Sequence, residues 1–187
     1  MDISIIIVNY NTAQATKQCL NSIFTHTHDI TFEVIVVDNA SNDDSDKILS
    51  KYPGIKYIKS PINLGFGKAN NLGYKYTSGT YILLLNSDTI LINNAIKLFV
   101  ESFHLQPNDV ACIGSWLLSI NGSFNNSCGN IPTFNQAIKS TFQLYLRLLG
   151  IKTKKNSNNY NRTIETEVGY VIGADICIRR SVIEQLG

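Results

Sequence analysis

The chain has 187 residues, 44% hydrophobic and 16% charged, with 16 basic side chains against 14 acidic ones for a net charge of +2. That apolar share supports a packed core of single-domain size, which excludes wholesale disorder. No basic run dominates, so nucleic acid finds no footprint, and the apolar stretches are strand-sized, too short for a membrane-spanning helix.

In chain order, Ile3 to Val8 is a β-branched run apolar on both faces, the pattern of a buried parallel strand. Asn9-Tyr10-Asn11-Thr12 follows, with Thr12 as the expected N-cap of a helix over residues 13–24 that carries Ala15, Cys19, Leu20 and Ile23 at helical spacing. The segment from His26 to Asp29 reads as an exposed polar connector, because its two histidines have no further ligand nearby. Glu33 to Val37 is a second strand, closed by a polar run from Asp38 to Ser45, and residues 46–51 form a short helix. Ile55 to Lys59 is a third strand, Pro61 to Gly67 a loop, and Lys68 to Tyr76 a helix ended by Gly79. Tyr81 to Leu85 is a fourth strand, broken by Asn86-Ser87-Asp88-Thr89, and Asn93 to His104 an amphipathic helix. This alternation predicts an α/β fold with a mostly parallel sheet and right-handed crossovers.

The second half changes character. Residues 109–124 read as a strand and turn with Asn121-Gly122 as a hairpin signal, and 125–130 as a loop. Residues 134–149 suggest a helix, 152–162 a basic mobile loop, and 168–178 a strand, with Ser181 capping a last helix. The helix and its lysines, Lys152, Lys154 and Lys155, fit either packing on the core or touching a membrane or lipid-linked acceptor. Met1 leads straight into a strand without a basic leader or cleavage site, so no secretory signal is expected. Cys19, Cys112, Cys128 and Cys177 are far apart with no C-x-x-C pair, which predicts buried reduced thiols in a cytoplasmic protein.

Ligands of open parallel sheets bind outside the carboxyl ends of the strands. Those ends carry Asn9-Tyr10-Asn11, Asp38-Asn39, residues 63–67 and Asn86-Ser87-Asp88. A carboxylate can accept the imide N–H of a pyrimidine, an aromatic can stack on its face, and glycine lets backbone approach a ligand. A carboxylate beyond a buried strand also suits a hard divalent cation whose shell is completed by diphosphate oxygens. A dinucleotide-binding fold would want G-x-G-x-x-G after the first strand, where Asn9-Tyr10-Asn11 stands without glycine. A nucleotidyltransferase would want a basic glycine-rich loop there, and no G-x-S-x-G supports a hydrolase.

Residues 5–11 (IIIVNYN), 36–41 (VVDNAS), 63–67 (NLGFG), 70–73 (NNLG), 84–89 (LLNSDT) and 171–180 (VIGADICIRR) together resemble glycosyltransferase family 2, in its rhamnosyltransferase-like branch. The resemblance implies a GT-A fold over residues 1–187 as a single domain. Residues 1–108 would be the nucleotide-binding half and 109–187 the start of an incomplete acceptor-binding half. It implies an inverting hexosyltransferase taking a sugar from a UDP- or dTDP-linked donor to a glycan or lipid-linked acceptor, with Mn²⁺ or Mg²⁺ aiding departure of the diphosphate. Polysaccharide or cell-envelope assembly at the inner face of the membrane would be its setting. By position, Tyr10 and Asp38 would hold the base, Asn9 would contact the nucleotide, and Asn63, Gly65, Phe66 and Asn70 would line the base and ribose pocket. Asn86 and Ser87 would face the nucleotide, Asp88 the metal, and Gly173 and Ala174 the donor sugar and acceptor. The metal motif opens with Asn86 where the family has Asp, which weakens its charge. No acidic pair matches the family's general base, expected beyond Gly187; Asp175 and Glu184 stand at other motif positions. A non-catalytic nucleotide-sugar-binding module is the alternative.

Overall fold

The structure is a computed structural model that describes residues 1–125, 127–131, 133–148, 150 and 165–186. The expected basic loop at 152–162 and the terminal Gly187 lie outside the described residues. The chain forms two compact units, one of Met1–Ser115 with Gly173–Gly187, the other of Trp116–Ile172.

The first unit is built on strands β1 (Ile3–Asn9), β2 (Phe32–Asp38), β3 (Ile55–Lys59) and β4 (Tyr81–Asn86). Helices α1 (Ala13–His26), α2 (Ser45–Leu49) and α3 (Phe66–Tyr74) connect them, and α4 (Ala95–Leu105) leads to β5 (Cys112–Gly114). The strand order is β3-β2-β1-β4-β8-β5. Here β8 is Asp175–Arg179, inserted antiparallel between β4 and β5 and followed by α6 (Arg180–Leu186). The other four strands run parallel in order β3-β2-β1-β4, so their carboxyl ends share one edge.

Strand residues alternate between two covered faces. Ile3, Ile5 and Ile7 join Val34 and Val36 in one core with Leu20 and Ile23 of α1, Leu49 of α2, and Phe99 and Phe103 of α4. Ile35 and Val37 face the other way and pack with Ala69 of α3. Gly73 permits that second contact: a Cβ there would lie 2.7 Å from Ile6 Cγ2 and 3.0 Å from Val37 Cγ2.

The second unit holds β6 (Cys128–Gly129), β7 (Tyr170–Val171) and α5 (Phe134–Leu148). The hairpin signal corresponds to an antiparallel bridge between Leu118 and Phe124, closed by Gly122 N–H donating to the Ser119 carbonyl. The stretch 168–178, which reads as one strand, is two: β7 ends at Val171 and β8 starts at Asp175. A continuous apolar run hides such a break, and Gly173 is the sign of it.

Three local expectations are corrected. Thr12 occupies the N-cap position of α1, but its hydroxyl does not cap the helix; the Asp43 carboxylate accepts from Ala13 N–H at 3.1 Å instead. Ser181 lies inside α6, which opens at Arg180. The four cysteines are free, but Cys112 is exposed and Cys128 half-buried. His28 and its neighbours belong to no group of three or more potential ligands among the described residues.

Candidate active site

At the carboxyl edge, β1 and β2 end in register, Asn9 opposite Asp38. Asn9 continues the face of Ile5 and Ile7, and Asp38 that of Val34 and Val36, so both point toward α1 and α2 and are fully buried. The Asn9 amide donates to Asp38 Oδ1 (2.8 Å), Ser45 Oγ (2.8 Å) and Ser41 Oγ (3.0 Å). Its Oδ1 accepts from Thr16 (2.7 Å) and Thr12 (3.1 Å). The other Asp38 oxygen, Oδ2, is buried, and among the described residues no partner meets it at hydrogen-bond geometry; the Tyr57 hydroxyl on neighbouring β3 is buried likewise. Burial pushes the Tyr57 phenol upward, and the charges of Asp38 and Asp46 add to the rise.

The network holds the two loops above it in unusual conformations. Asn11 and Ala40 both adopt positive φ, 55° and 64°. Such residues cost roughly 1–2 kcal/mol each and persist where their surroundings fix them. Here Ser41 Oγ accepts from Asn11 N–H, Asn11 Oδ1 from Asn42 N–H, and the Asn9 carbonyl from Asn39 N–H. Tyr10, lifted out by this turn, is 46% exposed.

Beyond β3, Asn39 Oδ1 accepts from Leu64 N–H (2.8 Å), and its amide donates to Asn63 Oδ1 (2.9 Å), which also accepts from Gly65 N–H. Gly65, at φ 76°, turns the chain into α3, so the helix starts at Phe66, earlier than expected. Phe66 is 50% exposed. Tyr10 after β1 and Phe66 after β3 thus flank the end of β2 with exposed rings. Asn70 is buried and donates to the Phe66 carbonyl of its own helix.

The end of β4 is tied to the first loop by Thr12 Oγ1 and Ser87 Oγ, 3.1 Å apart. Asn86 N–H donates to the Ala174 carbonyl (2.9 Å), which brings the Gly173-Ala174 turn beside the Asn86-Ser87-Asp88 segment. Asp88 is exposed, and a Cβ on Gly173 would meet nothing within 4 Å. The Cys19 thiol of α1 lies 3.8 Å from the Asn86 carbonyl; burial pushes its pKa up to about 12, with Asp88's charge adding to it. Next in chain, Asp175 is buried, and its Oδ2 accepts from the hydroxyl and amide of Ser115. Burial raises that carboxyl to about 6, against the lowering by Ser115.

The structure therefore sorts the expected residues. Tyr10, Asn63, Gly65, Phe66, Asp88 and Gly173 are exposed along the edge, and Asn86, Ser87 and Ala174 are half-buried. Asn9, Asp38 and Asn70 are buried, each with a side-chain hydrogen bond inside the chain. Sequence reasoning misses the frame that Thr12, Thr16, Asn39, Ser41, Asp43 and Ser45 build around them. A cleft of about 310 Å³ lies at the opposite end of β4, between Ser78 and Arg180. Arg179 and Arg180 there are engaged with backbone carbonyls of Val110 and Gly79, so it reads as a structural seam.

Residues 4–187 match the sequence profile of Glycosyl transferase family 2. Chondroitin synthase of Pasteurella multocida (strain Pm70) is 27% identical over 176 residues, 90% of this chain but 18% of that protein, so the chain spans about a fifth of such a relative. Among solved structures, S. aureus TarS 1-349 in complex with UDP has a TM-score of 0.54 at 26% identity, covering 71% of this chain and 38% of that one. Mannosyltransferase PcManGT from Pyrobaculum calidifontis, in complex with GDP-Man and Mn²⁺, has a TM-score of 0.61 at 17% identity, over 99% of this chain and 46% of that one. The fold is that of the GT-A glycosyltransferases. With the profile running through the strand ends and on to the final helix, the chain belongs to glycosyl transferase family 2.

Proposed function

We propose that the carboxyl edge of β1–β4 binds a nucleotide-diphospho-sugar, and that the protein transfers its sugar, with inversion, to a glycan or lipid-linked acceptor. The observation that carries this is the convergence of two exposed aromatics and one exposed carboxylate on one sheet edge. Tyr10 and Phe66 offer faces for a nucleobase, worth about 1–3 kcal/mol per stacked base. Asn63, whose carbonyl is fixed by Asn39 and Gly65, would meet a base or ribose edge. Asp38 acts as a positioning residue, holding Asn9 and through it both loops. The complex of TarS with UDP supports a uridine donor, and dTDP presents the same imide edge.

Asp88 would hold a divalent cation with Asn86 beside it. The described residues supply no cluster of three or more acidic, histidine or cysteine ligands. That donor set fits Mg²⁺ or Mn²⁺, which take one or two carboxylates and fill the shell with water and phosphate oxygens. When bound, the ion would offset charge on the departing diphosphate. The Mn²⁺ of the Pyrobaculum enzyme, which shares the fold, is in keeping with this. Gly173 leaves room beside Asp88 for a sugar, and the Thr12–Ser87 contact keeps Asp88 in register with Tyr10.

Calorimetry with UDP or dTDP tests the reading. Binding in the presence of Mn²⁺ should weaken when the ion is withheld, and Asp88→Ala should erase that difference. Tyr10→Ala should weaken binding about tenfold through lost stacking. Absence of any binding at millimolar nucleotide with Mn²⁺ would falsify the proposal.

A further inference from the structure

Helix α5 is amphipathic, and five apolar residues along one side of it are exposed. Phe134, Ile138, Phe142, Tyr145 and Leu148 recur at spacings of three and four, which sets them in one stripe along the helix. They are 80, 53, 59, 58 and 79% exposed. Isolated exposed apolar residues are ordinary, but a continuous stripe of five, two of them Phe, marks an interaction surface.

Charge selects the occupant. The only charged residues of α5 are Lys139 and Arg147, both cations. Residues 110–164 contain six basic residues and no acidic one. The unit Trp116–Ile172 carries those six with two acids, net +4, while the rest of the chain has 10 basic and 12 acidic residues, net −2. A second copy docking through the same unit would bring one net +4 charge against another. An anionic bilayer offers hydrocarbon to the stripe and a negative surface to the net-positive unit that carries it. At 15 residues, α5 is about 22 Å long at 1.5 Å per residue, short of the roughly 30 Å core, and no described helix is long and apolar enough to cross a membrane. It lies on a surface rather than through one.

We propose that α5 seats this protein on an anionic phospholipid surface, with Phe134, Ile138, Phe142, Tyr145 and Leu148 immersed at the headgroup boundary. The proposal stands on the stripe of α5 and the net charge of the unit that carries it, and does not depend on the nucleotide reading.

Co-sedimentation of the full chain with vesicles tests it. The chain should pellet with phosphatidylglycerol/phosphatidylcholine vesicles at low salt, and about tenfold less with phosphatidylcholine alone. The double substitution Ile138→Ser with Phe142→Ser should lower binding at least tenfold at an unchanged thermal midpoint. Should the double variant unfold, Phe142→Trp decides, through a blue shift of its emission on anionic vesicles. The proposal is overturned if the chain stays in the supernatant, if the folded double variant binds equally well, or if the emission of the Phe142→Trp variant does not move. It is equally overturned if ultracentrifugation finds a dimer that the double variant turns to monomer.

Discussion

Asn9 carries more of the site than any exposed residue. One side-chain amide, with two N–H groups, lies within hydrogen-bond reach of three acceptors on β2 and the segment after it, and its carbonyl accepts from two hydroxyls of the α1 region. Asn9→Ala leaves Asp38 Oδ1, Ser41 and Ser45 without that donor at a buried position. Removing one partner of a buried charged hydrogen bond costs the desolvation of the other. We expect a loss of about 2–4 kcal/mol in urea unfolding, against about 1 kcal/mol for Thr16→Val, which removes the neutral bond to Asn9 Oδ1 and a long one to the Thr12 hydroxyl. A loss under about 1 kcal/mol for Asn9→Ala would mean the network is not what holds the two loops. This role is partly legible in the sequence. Period-two alternation places Asn9 in line with Ile5 and Ile7, and Asp38 in line with Val34 and Val36. Residue type draws attention to a base contact, while the parity of the strand points inward. The partners Thr16 and Ser45 are not legible, because they come from helices whose rotation a strand pattern does not specify.

Element boundaries show the same division between pattern and geometry. The four parallel strands and α1, α4 and α5 follow from apolar periodicity over five or more residues, and each is found within two residues of its expected position. The two-residue strands β6 and β7 carry no period to read. Helix α3 is expected late because Gly65, Gly67 and Gly73 depress its propensity, yet the structure starts it at Phe66. The last two glycines have different reasons to be there, and substitution separates them. At Gly67 an added Cβ meets nothing within 4 Å, so Gly67→Ala should stabilise by about 0.5–1 kcal/mol through helix propensity. At Gly73 the same propensity gain meets Ile6 and Val37 methyls, and overpacking costs about 1–3 kcal/mol, so Gly73→Ala should destabilise on balance. Thermal unfolding midpoints moving in opposite directions would bear this out. A rise for both would mean that α3 stands off the sheet enough to accept a methyl group.

At the scale of the whole molecule, two carboxylates at opposite ends of the first unit set opposed pH dependences. Glu33 is pushed up by burial, but hydrogen bonds from Lys56, Ser4 and Ser78 outweigh that and bring it down to about 2. Its ionised form joins β1, β2, β3 and the turn before β4. The folded value lies below the unfolded 4.5, so its contribution is complete above that pH and fades as pH falls toward 2. Asp175, which starts the strand that completes the sheet, is raised from 3.8 to about 6. The folded chain then binds the extra proton between those values, so its favourable contribution is fullest below 3.8 and is lost as pH rises through 6. Above pH 6 a buried, ionised Asp175 costs on the order of 2–3 kcal/mol. Asp175→Asn keeps an acceptor for Ser115 and removes the charge. The difference in unfolding free energy between this variant and the wild-type chain, measured from about pH 4 to about pH 7.5, should grow in the variant's favour up to about pH 6 and then level. Taking the difference cancels Glu33 and every other carboxylate. Parallel curves across that range would mean that Asp175 is solvated or paired when ionised, and that the junction of β4 with β8 carries no electrostatic cost at neutral pH.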